Sequence, residues 1–146
     1  MSMLGIAALE AIAITLTKGS GWEVWILVLG AAIGSTVNLY VTTEVIEEVR
    51  NARHMFALLS AVLGEFLIFF ALQYAFMLTI DPTSFPTLSL NPVTLLLHST
   101  MVFVFNPLYL PGTLAGQAML LINSLASVGL VVFILQNLSQ LRRLVG

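Results

Sequence analysis

The chain has no cysteine, and of its 146 residues only five are Lys or Arg and seven Asp or Glu, a charged share of 8%. The missing cysteine excludes disulfides, iron-sulfur clusters and thiol catalysis. The missing charge says more. Soluble domains carry about a quarter charged residues, and a globule of this size has too much surface to cover with so few. The uncovered surface must meet something other than water, and lipid is the obvious medium. With a net charge of -2 and no basic cluster, a nucleic-acid partner is not expected, because phosphate binding needs Lys and Arg grouped on one face. No basic residue precedes the first apolar run, so a cleaved signal peptide is not expected either.

What the chain does have is long apolar runs. Crossing the hydrocarbon layer takes about 20 mostly apolar residues as a helix, since lipid offers no partner to a bare peptide group. Val24 to Thr43 and Thr113 to Gln140 carry no charge, and Met55 to Ile80 carries only Glu65. Met3 to Thr17 is shorter, contains Glu10 and is apolar nearly all round, which reads as a fourth span rather than an interfacial helix. Punctuation separates these runs: Lys18-Gly19-Ser20-Gly21 is a turn, and Asp81 to Pro86 opens a non-helical linker. Between Glu44 and His54 there is neither Gly nor Pro, so the second helix is predicted to run on into water and reverse near Asn51, with Glu47 and Arg50 as a weak surface pair.

Arg50 and Arg53 flank one side of the spans, Arg142 and Arg143 follow the last, and the Asp81 to Asn91 linker has no basic residue. Basic residues resist translocation, so both termini are expected in the cytoplasm of a plasma-membrane protein and the linker outside. The stretch Pro92 to Pro111 must then enter and leave on one side. Pro92 suits a helix start, Val93 to Phe105 is apolar but too short to cross, and Asn106-Pro107 and Pro111-Gly112 break the chain beyond it. A half-length helix, a broken stretch and a full helix predict a re-entrant loop, and a short buried helix under a surface loop is the plainer alternative.

This order, an outer helix 55–80, linker 81–91, pore helix 92–105, loop 106–112 and inner helix 113–141, resembles the pore module of two-transmembrane potassium channels, with residues 1–54 lying outside the resemblance. Pro111-Gly112-Thr113-Leu114-Ala115-Gly116 is similar to the P-x-T-x-x-G run that opens the inner helix in many such channels. In that register the filter pattern T-V-G-Y-G-D falls on Phe103, Val104, Phe105, Asn106, Pro107 and Leu108, of which only the valine matches. The resemblance implies an all-α membrane protein, four spans with a re-entrant helix and loop before the last, assembled as a homotetramer around an ion path. The departures change the expected chemistry. Phe105 and Pro107 replace glycines whose backbone freedom turns carbonyls onto the axis, and neither is expected to take positive φ, so a potassium ladder is not expected. Leu108 replaces an acidic residue and removes a negative ring at the mouth.

Other residues carry weaker signals. Glu65 is an intramembrane carboxyl, a functional site by default or else a protonated group bonded to Ser60, Gln73 or Asn123, and Glu10 repeats the question. His98, Ser99 and Thr100 are expected to support the loop from the pore helix. One histidine without companions is a poor metal site, no G-x-S-x-G occurs, and neither enzyme nor cofactor is expected. Asn123 and Gln136 on the last helix are candidates to line an aqueous path. Gly30 and Gly34 form a small-x-x-x-small strip for close helix approach, and Gly129 marks a bend or a packing notch. Trp22 and Trp25 read as interface anchors, and the phenylalanines of the third run as lipid-facing bulk.

The leading expectation is therefore a channel-like pore protein of altered selectivity. The alternatives are a non-conducting scaffold of the same fold or a small transporter coupled to Glu10 and Glu65, the last disfavoured because no inverted repeat is evident.

Overall fold

The computed structural model describes residues 3–18, 21–47, 49 and 51–145. It contains five α-helices, α1 (Met3–Thr17), α2 (Glu23–Glu47), α3 (Ala52–Ile80), α4 (Pro92–Phe103) and α5 (Leu114–Val145), with a 3₁₀ turn at Pro82–Ser84 and no strand among the described residues. Glu23–Ile46, Ala52–Ile80 and Leu114–Ser139 are long and apolar enough to cross a membrane, which marks an integral membrane protein. The expected Glu47 to Arg50 pair and the Arg142 and Arg143 side chains lie outside the described residues.

Helix α3 is the hub and packs against every other helix. Its start is fixed by Asn51, whose side chain accepts from the Arg53 N–H at 2.9 Å, and its end by Asp81. Met3 and Glu10 on α1 reach Glu65 and Gln73 on α3, so α1 runs parallel to α3, alongside its C-terminal half. At 15 residues α1 is about 22 Å long, shorter than the hydrocarbon layer. Helices α2 and α5 lie side by side, and Ala32, Ser35 and Leu39 share a crevice with Ile122, Leu125 and Ala126.

The central place of α3 corrects one expectation. Phe66, Phe69 and Phe70 are fully buried and only Phe56 is an exposed phenylalanine of this helix, because helices close over it from several sides. Phe66 and Phe70 meet edge to face at 5.8 Å. The Gly30 and Gly34 strip serves packing within the chain: Gly30 makes room for the Glu10 carboxyl, and a Cβ at Gly34 would stand 2.8 Å from the Phe69 ring. Gly34→Ala is expected to lower stability by about 1 to 3 kcal/mol, the usual cost of overpacking, as a lower thermal midpoint in mixed micelles. An unchanged midpoint would mean the ring has room to move.

Candidate functional site

The linker after α3 is tied down by its own polar residues. Asp81 accepts from the Thr83 N–H and hydroxyl and from the Ser84 hydroxyl, and these bonds, the Thr83 hydroxyl first, hold its carboxyl below the usual carboxylate range. Asn91 caps α4 by accepting from the Val93 N–H at 2.9 Å, and Pro92 follows as first helical residue, where its missing N–H costs nothing.

Helix α4 stops at Phe103 rather than at Phe105. The Phe105 N–H donates to the Val102 carbonyl at 3.0 Å and the Asn106 N–H to the Met101 carbonyl at 2.8 Å. That pair of bonds is a Schellman ending, which places one residue in the left-handed region and usually selects glycine for it. Here the residue is Phe105, at φ 61°, the only non-glycine with positive φ among the described residues. The expectation that Phe105 would avoid positive φ is thus overturned: two backbone hydrogen bonds at the helix end hold it there. Its side chain remains half-exposed at 53%, beside exposed Val104, Asn106 and Leu108, with Pro107 half-buried and Phe103 packed against the core.

From this tip the chain returns to where it left. The Gly112 N–H donates to the Ser84 carbonyl at 2.8 Å, the Ser84 and Thr113 hydroxyls lie 3.1 Å apart, and Thr113 Oγ1 accepts from the Gly116 N–H at 3.2 Å. A Cβ on Gly112 would stand 2.5 Å from the Thr83 carbonyl oxygen, and one on Gly116 2.6 Å from that of Ser84. The glycines of the P-x-T-x-x-G run are therefore contact glycines that let the start of α5 seat on the linker backbone.

Behind the return segment lies an aromatic cage. His98 is fully buried with its ring centroid 4.6 Å from Tyr74, 5.4 Å from Tyr109 and 5.8 Å from Phe85, joining α4 to α3, the linker and the return segment. The Tyr74 hydroxyl faces Asn123 of α5. His98 and Asn123 thus belong to one buried polar patch, whereas Gln136 is exposed and shares no face with Asn123. Ser99 is buried and Thr100 exposed, each returning its hydroxyl to a carbonyl of its own helix, Leu95 and Leu96 respectively.

The carboxyls find partners far away in sequence. Glu65 accepts from the Met3 N–H at 2.8 Å, and none of Ser60, Gln73 or Asn123 is its partner. Gln73 instead donates to Glu10. Sequence reasoning missed Tyr74, Phe85 and Tyr109 as the cage around His98; aromatic residues on both sides of the linker and in the return segment were the available signal. Among the described residues no group of His, Cys, Asp and Glu could hold a metal ion. Comparisons with family models, with curated proteins and with solved structures return no match.

Proposed function

We propose that α4 and its return segment enter the membrane as a re-entrant hairpin, and that four copies of the chain surround an axis on which the tip Phe103 to Leu108 is the constriction of a channel-like pore. The observation that carries this reading is the excursion itself. A twelve-residue helix, about 18 Å and so too short to cross a hydrocarbon layer of about 30 Å, leaves the linker turn and the chain comes back to the same turn, with bulky apolar side chains exposed at the far end. Exposed apolar side chains flanking buried His98, Ser99 and Val102 are accounted for if copies of the chain or lipid cover them. In this reading α1 is the fourth membrane helix, both termini are cytoplasmic, and the linker is outside.

The partners are the bilayer, three further copies and a permeant inorganic ion, and no cofactor takes part. The missing second glycine matters to selectivity, because Pro107 fixes its own φ and restricts Asn106, so the tip cannot present a ladder of alternating carbonyls.

The reading is tested by mass measurement of the protein in nanodiscs together with cysteine labelling at Thr87 and Ser139, both exposed. Four copies per disc and access of an impermeant reagent to the two sites from opposite sides are expected. A monomer would sink the pore, since one copy cannot enclose an axis, and access from one side would overturn the topology.

A further inference from the structure

The crevice between α1 and α2 has no part in the pore reading, yet it has the composition of a ligand site. It measures about 390 Å³, within the range of small-molecule pockets, and its walls are aliphatic apart from the Glu10 carboxyl. Leu9, Leu29 and Ile33 at its rim are exposed, so it opens on the outside of the helix bundle. Glu10 itself is only 5% exposed. One of its oxygens is bonded by Gln73, while Oε1 lies in the notch left by Gly30 and has no hydrogen-bond partner, nor has the neighbouring Gln73 Oε1.

Two buried oxygens without hydrogen-bond partners are costly in an apolar place whether or not Glu10 holds its proton, and an acyl chain filling the crevice would bring no partner. Among the described residues no arginine or lysine supplies one. Arg53 stands at the start of α3, and Lys18 lies beyond the end of α1, about 12 Å further along. The fitting ligand therefore couples an aliphatic body to a small N–H donor able to carry positive charge.

We propose that this crevice binds a hydrophobic amine, its alkyl chain between α1 and α2 and its nitrogen on the Glu10 carboxyl. The neutral amine arrives from lipid, the Glu10 O–H bond breaks as the nitrogen takes the proton, and an ammonium-carboxylate pair remains. No net charge crosses the apolar layer in this step. Glu10 Oε1, which lies against Gly30 in the crevice wall, accepts the N–H of the ammonium.

Protection from a lipid-soluble reagent tests the site on the native protein. In nanodiscs, dicyclohexylcarbodiimide is expected to modify Glu10, located by peptide mass spectrometry, and N,N-dimethyldecylamine is expected to slow that reaction tenfold or more. Decanol, with the same chain and no charge, and decyltrimethylammonium, with charge but no N–H, are expected to leave the rate within twofold. Ile33→Trp, which fills the rim without touching the carboxyl, is expected to slow labelling with no amine present. Labelling indifferent to the amine, equal protection by decanol or by the quaternary ion, or no labelling of Glu10 in the folded protein would each overturn the proposal. None of these outcomes bears on the oligomeric mass that tests the pore.

Discussion

Replacing Gly116 by Ala is expected to destabilise the protein by about 3 kcal/mol, at the upper end of overpacking costs, although the same change in a helix ordinarily stabilises. The added Cβ would stand 2.6 Å from the Ser84 carbonyl oxygen, a backbone atom fixed by the Asp81 turn and unable to swing aside. The start of α5 must then lift from the linker and give up the Gly112 to Ser84 hydrogen bond. Gly64→Ala is the matched control, because nothing lies within 4 Å of a Cβ there, and it should raise stability by up to about 1 kcal/mol. Denaturation in mixed micelles reads both. Equal midpoints for the two variants would show that seating α5 on the linker contributes little.

The second large effect concerns the tip. If Phe105 faces an axis shared by four copies, the bulky rings expel water, and removing them lowers the barrier. Each ring needs to contribute only about 0.35 kcal/mol for their joint loss to raise ion flux roughly tenfold. Phe105→Ala and Phe105→Gly are both expected to raise flux by at least that factor in proteoliposomes, without strong preference for potassium over sodium under opposed gradients. The two variants should differ in stability, the glycine protein being about 1 kcal/mol the more stable, because only glycine occupies φ 61° without cost. Phe69→Ala, which empties a fully buried site, should cost about 3 to 5 kcal/mol and leave flux alone where folding survives. Unchanged flux in both Phe105 variants, with the assembly intact, would favour a packed scaffold over a pore.

Much of the helix layout was legible because lipid imposes a simple rule. An uncharged run near 20 residues and the Gly, Pro and Asn between runs locate α2, α3 and α5 within a few residues of their observed ends, and Pro92 and Asn106 bracket α4. Side-chain direction was not legible. A helix apolar on every face gives no periodic cue to which phenylalanines turn inward, so Phe66, Phe69 and Phe70 read as lipid-facing although other helices cover them. The site was half visible for a related reason. His98 stood out by residue type, but its neighbours Tyr74 and Tyr109 come from separate elements, and the Glu65 partner is a backbone N–H 62 residues away. The backbone of Phe105 was misread because the hydrogen bonds that hold it belong to the end of a helix whose last residue only the fold defines.

The pairing of Glu10 with Gln73 bears on how the chain is made. Their separation of 63 residues means that Glu10 leaves the ribosome well before its amide exists, by roughly 3 to 12 s at ordinary elongation rates. During that interval the Glu10 carboxyl lacks its Gln73 partner, and α1, shorter than the hydrocarbon layer, has only α2 to pack on. Its seat, begun against α2, is completed when α3 emerges and offers Gln73 and Glu65 together. Helix α1 is thus made before α3 yet completes its packing only with it, and a chain stalled before residue 73 should hold an α1 more open to water-borne protease than in the finished protein.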